Sequence, residues 1–311
     1  MIGIAFDLVL CALIVSVALA AIFGRDLFGS VVLFIVYGLL VAMAWTRLGA
    51  VDVALAEAAI GAGLTGVLLV GAVARLRRQG VPEPRPMHPV ARAAHVAIAA
   101  LVAGLVGTAI IGLDPAATGL AGTVERRLEA SGVGNPVTAV LLNFRGYDTL
   151  LETIVLVAAL IGVWSLAEDR HWGDRPGLRQ HARRQGVLAT YGRFLPPVGL
   201  LIGVYIVWAG TDQPGGAFQG GTVLAAVWLL VAMAGLAEAP AVTARSLRLV
   251  VVAGPALFLV VAAAGVFADG FLILPTRYAK PMIQTIEAGL ALSIAATLAL
   301  LVLGPPQRGT R

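Results

Sequence analysis

The sequence predicts an all-α, polytopic integral membrane protein with about nine transmembrane helices, and three observations carry that expectation. Of 311 residues, 59% are hydrophobic and only 13% are charged, about half the charge of an ordinary soluble domain. The apolar residues fall in continuous runs long enough to cross a bilayer as helix, which takes about 20 residues. The runs do not alternate polar with apolar, so a membrane β-barrel is not expected.

The nine expected spans are Ile2–Ala21, Phe28–Trp45, Val51–Val73, Ala93–Ile111, Tyr147–Leu166, Phe194–Ala209, Gly215–Leu236, Leu249–Phe267 and Met282–Leu303. The first lacks a basic n-region and a small-residue cleavage site, so it reads as a retained helix rather than a signal peptide. The sixth is the shortest, with Pro196 and Pro197 expected in its first turn, where a missing N–H is tolerated. The eighth contains Gly254-Pro255 and is expected to kink there. Between the fourth and fifth spans, a short amphipathic stretch around Thr123–Ala130 is expected to lie at the interface.

"RLRRQGVPEPRPMHPVAR" and "EDRHWGDRPGLRQHARRQG" are basic and rich in Pro or Gly, the composition of solvent-side linkers. They divide the chain into expected modules 1–90, 91–185 and 186–311. With nine spans, 16 basic residues fall on one side and 6 on the other. The positive-inside rule then places the N-terminus outside and the C-terminus in the cytoplasm. The lone Cys11 excludes an intramolecular disulfide, and no His or Cys has metal-ligand spacing, so neither metal nor cofactor is expected. No phosphate loop, dinucleotide fingerprint or nucleophile elbow occurs, so enzymatic chemistry is not expected either.

Acidic residues at membrane depth are rare and usually functional. Asp148 and Glu152, four apart, share one helix face, and Arg145 can reach it one turn earlier. Either Asp148 pairs with Arg145 and fixes the helix start, or the two carboxylates share a proton as a relay. Asp52 and Glu57, five apart, point roughly 140° away from each other. Asp52 stands where it can complement its own helix N-terminus. Glu57 precedes Ala58, Ala59, Gly61, Ala62 and Gly63, a surface suited to close helix packing. Glu287 lies about a turn into the last span, where either Lys280, just before that span, neutralises it or it serves transport, the pairing being the favoured expectation. In "AGTDQPGGAFQGG", Pro214, Gly215 and Gly216 break the chain; Gly216 and Gly220 then give the next helix a smooth face, followed by Gly221.

Three stretches, in order, resemble one family. "LGAVDVALAEAAIGAGLTGVLLVGAV" resembles the acidic helix in the C-terminal part of the large MrpA-type protein of Mrp-type cation/proton antiporters, an element that membrane-bound hydrogenases carry as a small separate protein. "NFRGYDTLLETIVLVAALIGVWSL" resembles the module that follows it, and "RFLPPVGLLIGVYIVWAGTDQPGGAFQGGTVLAA" is similar to the MrpB-type component of the same antiporters. Ala217 departs from the usual third Gly of that last motif, and Val51 stands where Pro is usual before the Asp. The resemblance implies a non-autonomous subunit of a multisubunit Na+ or K+/proton antiporter in a bacterial or archaeal cell (inner) membrane, partnered with large antiporter-like subunits and not with nucleic acid. It implies that Asp52, Glu57, Asp148 and Glu152 line an ion path at those contacts, with Arg145 as an anchor and the Pro214–Gly221 turn packing helices. A scaffold subunit of a respiratory or hydrogenase-like complex, with no ion path of its own, is the competing expectation.

Overall fold

The computed structural model describes residues 2–24, 26–80, 88–113, 119–177, 186–267 and 270–308. Among them, eight helices are long and apolar enough to cross a membrane, and a ninth apolar helix, Ala217–Met233, is shorter. The chain is a multi-pass, all-α membrane protein.

The first two long helices, α1 (Ile2–Phe23) and α2 (Leu27–Arg47), pack as a pair. Asp26 caps α2 by accepting from the Gly29 N–H at 2.8 Å. The third span is not α-helical throughout. It begins as α3 (Val51–Ala56), widens into a π-helical segment over Glu57–Leu64, and resumes as α4 (Thr65–Arg78). Small residues let α2 press against the wide segment: a Cβ on Gly38 would meet the Ala62 Cβ at 3.1 Å. Such π segments cluster at functional sites.

α5 (Pro89–Ile111) is apolar beyond Arg92 and His95 near its start and buries no residue against the rest of the chain, leaving its surface for lipid or neighbouring subunits. α6 (Ala121–Ser131) forms where the amphipathic stretch was expected. α7 (Pro136–Thr138) leads through a second π segment, Ala139–Phe144, into α8 (Gly146–Trp164).

The last four long helices are α9 (Val187–Ala209), α10 (Ala217–Met233), α11 (Arg245–Ala264) and α12 (Thr276–Leu303). α12 is the axis of this part. It packs on α8, α9, α10 and α11, and Ile283, Ile286, Leu290, Ile294 and Leu300 are fully buried. A two-stranded ribbon, Arg175–Pro176 with Pro306–Arg308, ties the chain end back to the loop before α9.

Two details differ from expectation. α9 begins at Val187, so Pro196 and Pro197 lie inside it rather than in its first turn. Its early part is held by packing: Ala189 is fully buried, and a Cβ on Gly192 would meet the Ala234 Cβ at 2.5 Å. Helices buried in a membrane tolerate such interior prolines. The shortest of the nine is therefore α10, at 17 residues, because its first turn is replaced by the glycine-rich loop before it.

Candidate functional site

The two ends of the chain meet at one polar seam. Asp52, the second residue of α3, is only 9% exposed. Its Oδ1 accepts the Gly215 backbone N–H at 2.9 Å, and the Asn135 side-chain amide lies 3.4 Å from each carboxylate oxygen. Its backbone carbonyl accepts from Gln219 Nε2 at 3.4 Å. Asp52 thus clasps the turn between α9 and α10 rather than serving only its own helix N-terminus.

That turn is shaped by its glycines. Gly216 has φ +124°, a conformation that L side chains rarely adopt. A Cβ there would stand 2.9 Å from Glu287 Oε1 and 3.5 Å from Gln219 Oε1. Gly216 caps α10 rather than joining its packing face. The close approach comes instead from the next two glycines, which face different neighbours. A Cβ on Gly220 would meet Val207 Cγ2 at 2.4 Å and the Gly203 carbonyl at 2.8 Å, on α9. One on Gly221 would meet Ile294 Cγ2 at 2.9 Å, on α12.

Glu287 sits on the other side of the same turn, 2% exposed. Its Oε1 lies against the backbone of Gly216, just before the first turn of α10. Its Oε2 is buried with no hydrogen-bond partner among the described residues. Lys280 does not neutralise it. Lys280 Nζ lies 2.6 Å from Asp212 Oδ2 instead. The reason is distance: seven residues of α-helix place Lys280 about 10 Å along the axis from Glu287, while the turn after α9 presents Asp212 beside it. Between them, Gln284 Nε2 reaches Thr211 Oγ1 at 3.4 Å.

The segment before α7 completes the seam. The Gly134 and Asn135 N–H groups both donate to the Thr211 carbonyl at 2.9 Å, and Asn135 Nδ2 donates to the Gln213 carbonyl at 2.8 Å. Asn135 also caps α7 through its Oδ1 and the Val137 N–H. Asn135, Thr211, Asp212, Gln219 and Gln284 escaped the sequence reading. The dipeptide Asn135-Pro136 was the available signal, since Asn before Pro marks a helix start.

The other sequence-selected acids lie apart from this cluster. Glu57 is half-buried at the head of the first π segment, with its carboxylate folded over Gly61: a Cβ on Gly61 would meet Glu57 Oε1. Arg145 Nη2 is 2.5 Å from Asp148 Oδ2, an ion pair 69% and 52% exposed at the junction where the second π segment becomes α8. Glu152, one turn on, is exposed on the outer face of α8 and makes no hydrogen bond or ion pair among the described residues. A groove of about 670 Å3 between α2, α4, α10 and α12 is apolar, with Arg75 as its charged residue. It offers lipid-like surface rather than a route for ions.

Comparison with known proteins gives concordant matches. Residues 12–78 match the MbhD family of MBH components, and residues 187–305 the domain related to the MnhB subunit of Na+/H+ antiporter. An uncharacterized protein of Methanocaldococcus jannaschii is 30% identical over 155 residues, covering 45% of this chain and 59% of that protein. A probable K(+)/H(+) antiporter A/B protein of Rhizobium meliloti (strain 1021) is 27% identical over 133 residues, 36% of this chain and 13% of the relative. The chain therefore spans less than two thirds of either curated relative. A chain of the Mrp complex from Dietzia sp. DQ12-45-1b superposes with TM-score 0.71 at 24% identity, covering 97% of this chain and 35% of that one. A chain of the membrane-bound sulfane sulfur reductase, an archaeal respiratory membrane complex, superposes with TM-score 0.56 at 23% identity, covering 69% and 99%. At these identities the two structures speak for the fold.

Proposed function

We propose that this chain, which matches an MbhD-type module over residues 12–78 ahead of an MnhB-type domain over residues 187–305, is a non-autonomous membrane subunit of a multisubunit, Mrp-type monovalent cation (Na+ or K+)/proton antiporter. Its work is transport rather than catalysis. The observation that carries this reading is the Asp52 clasp: an acid of the first module is bonded to the glycine turn of the last, with a second buried carboxylate, Glu287, across that turn. Buried ionisable groups are costly in a membrane and persist where they serve a path or a contact. Glu57 and Glu152 supply carboxylates on surfaces the chain leaves for neighbouring, large antiporter-like subunits. Arg145 and Asp148 anchor the start of α8 at such a contact.

The test is cation-dependent proton flux in membrane vesicles carrying the whole complex. Glu57→Gln and Glu152→Gln are expected to lower flux while leaving assembly intact. Normal flux in an assembled double variant would remove both residues from the path. The competing reading, a scaffold in a respiratory or hydrogenase-like assembly, draws on α5, which buries nothing within the chain and has the character of a docking surface. In either reading, the chain has three modules, 1–90, 91–185 and 186–311, with its N-terminus outside and C-terminus in the cytoplasm. Labelling of N-terminal and C-terminal tags from either side of the membrane checks that orientation.

A further inference from the structure

α12 is buried among apolar helices, yet one stripe of it is polar. Lys280, Gln284 and Glu287 occupy positions i, i+4 and i+7, which an α-helix places on one face. That stripe runs down the turn between α9 and α10. At its outer end Lys280 pairs with Asp212, both about half exposed. Asp212 Oδ2 also accepts from Thr211 Oγ1 at 3.3 Å. Gln284 Nε2 in turn reaches Thr211 Oγ1 at 3.4 Å. A hydrogen-bonded ladder therefore descends from the surface to the residue one turn above Glu287.

At the foot of the ladder Glu287 is held asymmetrically. One end of its carboxyl, Oε1, lies beside Gly216 at the start of α10, where the helix dipole favours an anion. The other oxygen has no partner among the described residues and is shut off from solvent, which penalises an anion heavily. These demands oppose each other, and a proton on the bare oxygen resolves them. Gly216 keeps the space beside the carboxyl free of a side chain, and Gln219 Oε1 borders that space as an acceptor.

Building on the antiporter reading above, we propose that Glu287 is a proton-exchange site, reached from the protein surface along Asp212, Thr211 and Gln284, and facing Asp52 across the glycine turn. The charged groups nearest on the packed elements are Asp52 of α3, Glu57 of the adjoining π segment, Asp212 of the turn and Lys280 of α12 itself. On α8, Asp148 and Glu152 are exposed; on α6, so are Glu125, Arg126, Arg127 and Glu129. Arg277 is exposed against Tyr278. Arg193 of α9 and Arg245 and Arg248 of α11 lie toward the opposite ends of their helices from the turn. Asp52 is thus the one further buried carboxylate on the seam among the described residues, and a proton on Glu287 relieves repulsion between the two.

Infrared difference spectroscopy on the intact complex in membranes reads the site directly. Between about pH 5 and about pH 9, the wild type is expected to show a protonated-carboxyl C=O band that fades as pH rises. Glu287→Gln should abolish it. Gln284→Leu should retain it but slow its response to a pH jump severalfold. No band dependent on Glu287 would overturn the site, and a wild-type response in Gln284→Leu would overturn the route. If Glu287→Gln does not assemble, Gln219→Leu leaves the acid in place and should shift the band frequency; an unchanged frequency would overturn the pocket as described. Proton flux measured on the same vesicles keeps the two proposals apart. Flux with a silent Glu287 contradicts only this site, whereas the band without any cation-dependent flux contradicts the antiporter reading.

Discussion

Replacing Asp52 with Ala should open the seam between the two ends of the chain. The substitution removes the acceptor of the Gly215 N–H at 2.9 Å and of the longer Asn135 contacts at 3.4 Å. A hydrogen bond to a charged group contributes about 1.5–3 kcal/mol, and orphaning a buried donor costs about 1–3 kcal/mol. Asn135 keeps its bond to the Gln213 carbonyl, so the loss is dominated by Gly215, and about 2–3 kcal/mol is expected. With a factor of ten for every 1.4 kcal/mol, local opening at residues 214–217 should become roughly 30- to 150-fold more frequent. Hydrogen–deuterium exchange of the full-length protein in detergent or nanodiscs measures that opening directly. Asp52→Asn retains an oxygen for Gly215 and should recover most of the protection. Exchange in Asp52→Ala equal to the wild type would refute the clasp. Equal loss in both variants would instead assign the effect to the charge.

Gly220→Ala introduces a Cβ against Val207 Cγ2 at 2.4 Å and the Gly203 carbonyl at 2.8 Å; backbone cannot yield as a side chain can, so overpacking should cost about 1–3 kcal/mol, read as a lower Tm. Gly61→Ala removes the surface on which the Glu57 carboxylate lies, so it should change cation-dependent flux as Glu57→Gln does while leaving assembly intact. Arg145→Gln breaks an exposed pair whose stability contribution is about 0–1 kcal/mol; the Tm of the isolated chain should barely move, and any large effect should appear in co-purification of neighbouring subunits. The Asp26 carboxyl is held below its ordinary value of 3.8, first by the Gly29 N–H and then by the Arg77 guanidinium. A lowered value means stability present above the ordinary pKa and lost as pH falls through the folded one. Asp26→Asn should therefore be less stable than the wild type near neutrality, and the two should converge as pH falls through the lowered folded-state value.

Much of this molecule is legible in the residues alone. Continuous apolar runs specify helices because a bilayer leaves no other partner for backbone N–H and C=O groups, so each of the nine apolar segments announces itself. Their ends are less legible. α9 extends back to Val187 because Ala189 and Gly192 pack against the chain around Ala234, a contact no local pattern announces. The π segments after Ala56 and Thr138 are invisible for a related reason. An extra residue per turn changes no composition and is stabilised by what packs beside it.

The acids divide along the same line. Sequence alone identifies Asp52, Glu57, Asp148, Glu152 and Glu287 as anomalies, because charge at membrane depth is costly wherever it occurs, and i, i+3 arithmetic places Arg145 beside Asp148. Only the tertiary structure decides their partners. It pairs Lys280 with Asp212, leaves one oxygen of Glu287 bare, and joins Asp52 to Gly215 across 163 positions of chain. Hydrophobicity and helical periodicity are local properties that each segment carries with it. A hydrogen bond between distant segments exists only once the helices have packed, and that packing selects the carboxylates that face each other.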